Sequence, residues 1–218
     1  MFEKMVRLIL VRHGESIANK EGIYQGQTYD TGLTKRGVKQ ARASAKTLAK
    51  MKIDKIISSP LRRTKDSAEI IGRQLKTPVL VEHRIIEISH GEWEGKHKEW
   101  VKKSYPDLLE TWKEKPTEAQ MPNGENMEKV SKRINKFLQA VRKNYDGKNI
   151  LVVGHDLIMR TMIANLLGLS LDHIWNFQLD NGGITILELG RERTSRLVVL
   201  NQSIHLKNLI SRVDGQAL

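Results

Sequence analysis

The sequence predicts an α/β fold, a three-layer sandwich with a mostly parallel central sheet. Short apolar, β-prone runs recur along the 218 residues, and amphipathic helical segments separate most of them. No repeat, low-complexity tract or Ser/Pro-rich linker divides the chain. Strands that alternate with helices form parallel sheets, because each helix carries the chain back across one face of the sheet. We therefore expect residues 1–218 to form a single domain.

The N-terminal half of the chain supplies three predicted strands. Residues 6–11 form a near-continuous apolar run, which is typical of a strand buried on both faces. Residues 55–58 and 79–81 are shorter runs of the same kind. One predicted helix starts at the N-cap Thr34 and presents an apolar face up to residue 49. A second begins after Ser59-Pro60 and runs to about residue 75.

The C-terminal half continues this alternation. The pattern predicts a helix over 126–143, a buried strand over 150–153 and an apolar helix over 157–167 that Gly168 ends. Two further strands, 184–189 and 196–200, are joined by a polar turn. These last strands are apolar enough to serve either the core or the contact of a homodimer. Residues 207–218 are predicted to be frayed or loosely docked.

The segment 85–124 is the least regular part of the sequence and is predicted to form a cap. It contains three prolines and Trp93, Trp100 and Trp112. Tryptophans in such a segment either close over a pocket or cover the core, and we favour the core.

Composition excludes several classes of protein. The chain has no cysteine, so disulfide frameworks, thiolate nucleophiles and Cys-built metal sites are ruled out. No apolar run approaches the ~20 residues of a membrane span, and no signal-peptide pattern is present, so we expect a cytoplasmic protein without membrane contact. The net charge of +12 attracts anions. The basic residues are spread along the chain and aromatics make up only 5%, which favours a small anionic substrate over nucleic acid.

Basic residues and histidines follow three of the predicted strands. Arg12-His13 comes after the first, residues 59–63 after the second, and His155 after the strand at 150–153. In open α/β sheets, ligands bind beyond the carboxyl ends of strands. A lone histidine is more often structural, but convergence of these side chains suits phosphoryl transfer, in which imidazole attacks phosphorus and arginines bind the oxygens. Glu87, flanked by apolar residues, is the candidate proton donor, with Glu92 and Glu94 as rivals.

These motifs resemble those of the histidine phosphatase superfamily, which has the phosphoglycerate mutase-like fold. The resemblance spans residues 6 to about 189. The matching segments, in order, are Arg12-His13-Gly14-Glu15-Ser16, residues 22–26 with 33–37, 59–63, 87–95 and 124–125, and His155. A lone Arg-His-Gly would be weak support, whereas a series of motifs in the right order is specific.

The resemblance implies a role for each matching residue. His13 would be the phosphorylated nucleophile and Glu87 the proton donor. The rest of the phosphate pocket would be Arg12, Arg63 and His155, and the substrate contacts would be Asn19, Gln25 and Gly26. Arg62 would then face solvent or substrate, and Glu15, Ser16 and Glu125 would orient or cap. The other five histidines match no catalytic position. Asp156 departs from the family glycine, and its carboxylate would repel phosphate unless it pairs with a cation.

The family divides on the second half of the reaction: mutases return the phosphoryl group to the substrate, and phosphatases give it to water. The segment 95–124 is short for a mutase, so we favour a metal-independent phosphomonoester hydrolase without a cofactor. The alternatives are a bisphosphoglycerate-primed phosphoglycerate mutase, a fructose-bisphosphate or α-ribazole phosphatase, and a non-enzymatic basic binding module. The full set of catalytic residues argues against the last.

Overall fold

The computed structural model describes residues 5–190, 194–211 and 216–217. The described residues form one six-stranded sheet. Its strands are β1 (Val6–Arg12), β2 (Lys55–Ser58), β3 (Val79–Val81), β4 (Asn149–Gly154), β5 (Ile184–Leu189) and β6 (Arg196–Gln202). Their order across the sheet is β3-β2-β4-β1-β5-β6. Every strand predicted from the sequence is present, with ends that differ by at most two residues.

The sheet is mostly parallel, as predicted. The neighbours β3, β2, β4 and β1 all run in the same direction. Strand β5 lies antiparallel to β1 and forms a hairpin with β6. In the pairing of β1 with β4, Arg12 lies opposite Gly154, so the residues that follow the two strands emerge side by side. This register is the reason that distant parts of the sequence meet at one edge of the sheet.

Helices cover both faces of the sheet and complete three layers. The described residues form α1 (Ile17–Glu21), α2 (Lys35–Leu48), α3 (Arg62–Leu75), α4 (Lys98–Ser104), α5 (Pro106–Glu114), α6 (Met127–Asn144) and α7 (Asp156–Leu167). Ile9 and Val11 of β1 pack in a cluster with residues of α2 and α3. Leu8 and Leu10, which point to the other face, pack in the cluster that contains residues of α6 and α7. A strand buried on both faces is nearly continuously apolar, as β1 is from Leu8 to Val11.

Helix boundaries follow the local signals that the sequence carries, with one exception. The Thr34 hydroxyl accepts a hydrogen bond from the Gly37 N–H and caps α2, and Gly168 ends α7 in the left-handed conformation. Helix α3 begins at Arg62, after Leu61, which provides no side-chain cap. Ser59-Pro60 therefore directs the chain into the helix without being part of it.

The segment 85–124, which was predicted to be irregular, contains two helices. Pro106 stands at the first position of α5, where its missing N–H costs nothing, and α4 ends just before it. Trp93 and Trp112 are buried in the core, as we favoured, whereas Trp100 is exposed. The segment is thus a short helical pair attached to the body of the protein by two tryptophans.

The C-terminal residues differ from their prediction. Residues Ile204–Leu209 form a short 3-10 helix, and Gln216 and Ala217 are buried. The rest of the tail that was predicted to fray, residues 212–215 and 218, lies outside the described residues. In β6, Val198 and Leu200 are exposed, so a homodimer contact on this edge strand stays a prediction. Within the described ranges, no helix is both long and apolar enough to cross a membrane.

Candidate active site

A pocket opens at the carboxyl ends of β1, β2 and β4. His13 follows β1 directly and its N–H donates to the Gly154 carbonyl at 3.0 Å, while Arg63 lies in the first turn of α3. Asp156 is the first residue of α7. The described lining residues are Arg12, His13, Asn19, Gln25, Gly26, Arg63, Glu87, His90, Trp112, Asp156, Leu157, Trp175 and Ala217. The structure therefore brings together seven of the eight predicted site residues around one pocket, and His155 lies just behind it.

His13 is held as a neutral ring with a free nitrogen. Its Nδ1 donates to the carbonyl oxygen of Gly14 at 2.8 Å, and because a carbonyl can only accept, the proton resides on Nδ1. Burial lowers the pKa of His13 well below its ordinary value, and the charges of Arg63 and Arg12 lower it further. The neutral ring keeps its lone pair on Nε2. That nitrogen is the one able to attack phosphorus.

The two pocket arginines are fixed by hydrogen bonds at their ends. Arg63 donates from Nη1 to Asp30 at 3.0 Å and from Nη2 to the Gly26 carbonyl at 3.0 Å. Arg12 donates to the Leu179 carbonyl at 2.7 Å and to the Gln216 side chain at 2.5 Å. In both, the buried Nε has no hydrogen-bond partner among the described residues. An unsatisfied buried donor is unfavourable, so each arginine is suited to bind an anion through this atom.

Arg63 and its neighbour Arg62 have opposite environments. The Arg63 side chain is 1% exposed, whereas that of Arg62 is 69% exposed and pairs only with Asp66 at 3.7 Å. Consecutive residues at the start of a helix point about 100° apart, so only one of them can enter the pocket. The structure thus puts Arg63 in the pocket and Arg62 in solvent, as the sequence predicted.

His155 lies behind the nucleophile and is fully buried. Its Nε2 is 2.7 Å from the Ser59 hydroxyl, and its ring lies edge-on to that of His13, with centroids 5.4 Å apart. Its Nδ1 has no hydrogen-bond partner in the part of the chain that the structure describes, and it is 4.0 Å from Glu87 Oε2. Burial, followed by the charge of Arg63, lowers the pKa of His155 well below its ordinary value. When the Ser59 hydroxyl donates to Nε2, Nδ1 carries the proton and is a third free donor.

Glu87 is the carboxylic acid of the pocket. Its Oε1 accepts from the Ile88 N–H at 3.0 Å, and its backbone carbonyl accepts from Gln27 at 2.8 Å and Arg133 at 3.2 Å. Burial raises the pKa of Glu87 to about 7, against the opposing charge of Arg63. A carboxyl group with this pKa is protonated at neutral pH about half of the time. It can therefore both donate and accept a proton.

The rival carboxylates do not line the pocket. Glu92 lies nearer the surface and accepts from the Tyr105 hydroxyl at 2.6 Å and from Asn123 at 2.8 Å. Glu94 accepts from the Thr28 N–H at 2.6 Å and the Ser89 hydroxyl at 3.1 Å. Burial alone would raise the pKa of Glu94, but these hydrogen bonds outweigh it and lower the pKa. Glu87 is thus the only one of the three candidates that is suited to donate a proton.

The three predicted substrate-contact residues lie on the pocket wall. Asn19 Oδ1 accepts from the Ser16 N–H at 3.2 Å and completes the capping box of α1. Gln25 Oε1 accepts from the Ser16 hydroxyl at 2.9 Å. Gly26 has a φ of +52°, and a Cβ at this position would collide with the carboxylate of Glu94. Glycine is therefore required for the turn that presents its carbonyl to Arg63.

Two acidic residues that were predicted to orient others make several hydrogen bonds each. Glu15 accepts from the Thr34 hydroxyl at 2.7 Å and the Ser211 hydroxyl at 2.8 Å. Glu125 accepts from the Ser89 N–H at 3.0 Å and from Arg133 at 3.1 Å. Neither residue lines the pocket. Through these hydrogen bonds, both hold the loops beside the pocket against neighbouring segments.

Asp156, the departure from the family glycine, is balanced by cations on both sides. Its Oδ2 accepts from Arg160 Nε at 2.6 Å, and its Oδ1 lies 3.4 Å from Arg12 Nη1. Asp156 and Arg160 are 3% and 4% exposed. The repulsion of phosphate that a bare carboxylate would cause is thus reduced by these pairings.

Sequence reasoning missed several lining residues. His90 was assigned no role, yet it lines the pocket, and burial lowers its pKa to about 4. Trp175 also lines the pocket and donates from Nε1 to the Trp112 carbonyl at 2.9 Å. Gln216 does not line the pocket, but it bonds Arg12 and, at 2.9 Å, Asn181. Trp175 and Gln216 belong to no motif, and His90 occupies a variable position of the segment 87–95, so only the three-dimensional packing could identify them.

The comparisons with known proteins agree with this geometry. The family model described as "Histidine phosphatase superfamily (branch 1)" matches residues 8–203. The fold and the pocket define a phosphotransfer enzyme of the phosphoglycerate mutase-like class. The chain belongs to the histidine phosphatase superfamily.

Two relatives are named as phosphatases, and this chain matches each of them over nearly its full length. The chain is 40% identical over 202 residues to phosphoserine phosphatase 1 of Hydrogenobacter thermophilus, a match that covers 93% of this chain and 95% of the relative. It is 28% identical to the adenosylcobalamin/alpha-ribazole phosphatase of Escherichia coli strain K12, over 93% of this chain and 100% of that protein. The solved structure of Bacillus stearothermophilus YhfR is similar with a TM-score of 0.87 and 27% identity, covering 92% and 99% of the two chains.

Proposed function

We propose that this protein hydrolyses phosphomonoesters of small metabolites through a phosphohistidine formed on His13, without a metal ion. The observation that carries the proposal is the set of unpartnered nitrogens close to His13. Arg12 Nε, Arg63 Nε and His155 Nδ1 are all buried and have no hydrogen-bond partner within the described part of the chain. A phosphoryl group offers several acceptor oxygens and negative charge. It would satisfy all three nitrogens at once, while the two guanidiniums balance its charge.

In the first half-reaction, the lone pair on His13 Nε2 attacks phosphorus, and the P–N bond forms as the P–O bond to the leaving group breaks. Protonated Glu87 transfers its proton to the departing oxygen, so the leaving group departs as a neutral alcohol. The pKa of about 7 supports this role, because an acid with that pKa still carries its proton near neutral pH. Arg12 and Arg63 stabilise the charge on the phosphoryl oxygens.

In the second half-reaction, the Glu87 carboxylate takes a proton from water. The water oxygen attacks phosphorus, the P–N bond breaks, and inorganic phosphate leaves. His13 regains its lone pair and Glu87 its proton, so the enzyme returns to its starting state. The same residue thus serves first as acid and then as base.

The relatives support small phosphorylated metabolites as substrates, and the names phosphoserine phosphatase and alpha-ribazole phosphatase give two candidate esters. Phosphoglycerate mutase activity differs only in the acceptor of the phosphoryl group. The short segment between Glu87 and α6 supports water as that acceptor. A cytoplasmic location and a homodimer stay expectations from the sequence.

The first experiment is phosphate release from p-nitrophenyl phosphate and from 3-phosphoglycerate in EDTA. Release from either supports a metal-independent phosphatase. Formation of 2-phosphoglycerate only when bisphosphoglycerate is added would instead establish a mutase. Acid-labile, base-stable phosphate on the quenched enzyme should appear in the wild type and be lost in His13→Ala. His173→Ala, which changes an exposed histidine, is the control and should keep it.

A further inference from the structure

Asp156 Oδ1 is a buried acceptor at the pocket that the proposed mechanism does not use. It has no hydrogen-bond partner among the described residues, although Oδ2 of the same carboxylate accepts from Arg160. Arg12 Nη1 is 3.4 Å from Oδ1 and forms an ion pair with it without the geometry of a hydrogen bond, and the same Nη1 donates to the Leu179 carbonyl at 2.7 Å. A buried carboxylate oxygen without a donor is unfavourable, so it marks a position for a donor on a ligand.

The location of Asp156 assigns this donor to the leaving group. Asp156 lines the same pocket as Glu87, and its charge contributes to the raised pKa of Glu87, so the two carboxyl groups lie near each other. Glu87 faces the departing oxygen in the proposed mechanism. Leu157 and Trp175 line the pocket as well, and neither offers a charged group. A dianionic phosphoryl group provides only acceptors, so it cannot satisfy Asp156.

The charges of the buried site indicate a cation. Among the groups that form ion pairs at the site, Arg12, Arg63 and Arg160 contribute three positive charges, and Asp156 and Asp30 contribute two negative ones. With neutral histidines and protonated Glu87, this set has a net charge of about +1. A dianionic phosphoryl group changes it to about −1, and an ammonium group on the substrate returns it to zero. Buried sites favour such neutrality, because an uncompensated charge there is costly.

We propose that Asp156 binds an ammonium group on the leaving alcohol, so that the preferred substrates are phosphomonoesters of amino alcohols. This inference rests on the proposed function and adds the class of ester to it. Arg160 is then a positioning residue: it holds Oδ2, donates to the Ile174 carbonyl at 2.7 Å and stacks on Trp175 at 5.1 Å. These contacts leave Oδ1 free for the substrate.

The test compares two esters that differ only in the ammonium group, O-phosphoethanolamine and ethyl phosphate. We expect the wild type to prefer O-phosphoethanolamine in kcat/KM by about tenfold or more at pH 6.5, as a charged hydrogen bond would give. In Asp156→Asn, which keeps the shape and removes the charge, this ratio should fall by about tenfold. Both esters bind the same phosphoryl pocket. Any effect of Asp156→Asn on its neighbour Arg12 therefore changes both rates alike and cancels in the ratio.

Asp180→Asn is the matched control. Asp180 is also a buried carboxylate, but both of its oxygens accept hydrogen bonds, from Gln178 at 2.6 Å and Asn201 at 2.9 Å, and it does not line the pocket. Its ratio should equal that of the wild type. If Asp156→Asn fails to fold, the double variant Asp156→Asn/Arg160→Gln removes both buried charges together and should show the same loss.

Two results would overturn the inference: a wild-type ratio near one, or a ratio that the Asp156 variants leave unchanged. Failure of the proposed function looks different. In that case the wild type releases no phosphate from either ester or from p-nitrophenyl phosphate, and no phosphohistidine forms. Phosphate release without preference for the ammonium would refute only the role of Asp156.

Discussion

Replacing Glu87 by glutamine should reduce catalysis and stabilise the protein at the same time. The amide keeps the shape of the protonated acid, and its oxygen can still accept from the Ile88 N–H, as Oε1 of Glu87 does at 3.0 Å. It has no proton to transfer to a leaving alkoxide. It also cannot ionise, and ionisation inside the pocket is what burial makes unfavourable. The two effects follow from the same buried carboxyl group.

The expected gain in stability depends on pH. The pKa of Glu87 rises from 4.5 to about 7 on folding, which corresponds to about 3 kcal/mol. Below pH 4.5 the carboxyl group is mostly protonated in both states, and at pH 4.5 it is half ionised only in the unfolded chain, so the wild type loses little there. Between pH 4.5 and 7 the unfolded chain releases the proton while the folded one retains it, so the free energy of unfolding falls as pH rises. Above pH 7 the full cost is present, and glutamine removes it.

Urea denaturation of both proteins at pH 4.5 and pH 8 measures this effect. The difference in the free energy of unfolding between variant and wild type should shift by about 3 kcal/mol in favour of the variant from the lower to the higher pH. An unchanged difference would mean that Glu87 ionises as easily in the folded protein as in the unfolded chain, and the argument from burial would be wrong.

The same variant tests the role of proton donor. Turnover of an alkyl phosphate should fall by about 10² to 10⁴, the usual contribution of general acid catalysis, whereas p-nitrophenyl phosphate, whose leaving group needs no proton, should lose much less. Glu92→Gln, on the same segment, should retain activity on both esters. Equal losses on both esters in Glu87→Gln would contradict the assignment.

Two further predictions concern single side chains around the pocket. Arg63→Ala should lower kcat/KM by at least about 10²-fold, as the loss of a transition-state donor does. Arg62→Ala should change kcat/KM by less than about threefold, because its side chain is exposed. A larger effect from Arg62→Ala would show that the register of the segment 59–63 is misassigned. Gly168→Ala should lower the stability by about 1 kcal/mol, because φ is +68° but no atom lies within 4 Å of the added carbon. Gly26→Ala combines positive φ with a collision against Glu94, so its loss of stability, measured by thermal unfolding, should exceed that of Gly168→Ala by about 1–3 kcal/mol. Equal losses of stability in the two variants would mean that the Glu94 carboxylate moves away freely.

The fold was predictable because its signals are local. The apolar run at β1, the cap at Thr34 and the stop at Gly168 each act within a few residues, and the structure confirms them. The two helices within 85–124 were not predicted, because the prolines of this segment suggested irregular structure. Pro106 instead starts a helix, since a proline at the first helical position leaves no hydrogen bond unmade.

The candidate site was predictable in part, for a topological reason. Residues that follow parallel strands emerge at one edge of the sheet, so His13 and His155 were expected at the same edge, and the pairing of β1 with β4 makes them neighbours. Their protonation states were not predictable. They depend on burial and on the Gly14 carbonyl and Ser59 hydroxyl, which contact the rings through particular rotamers.

The sequence by itself determined the strands and the residues at their ends, because local periodicity encodes them, and its motifs carried the resemblance to the family. Only the tertiary structure decided which groups close the pocket. Gln216 reaches Arg12 from the other end of the chain, and the charge of Asp156 in α7 is balanced by Arg160 one helical turn away and by Arg12 at the end of β1. The reason is physical: whether a buried charge repels, binds or is neutralised depends on distances between atoms, and residue order does not fix those distances across a fold.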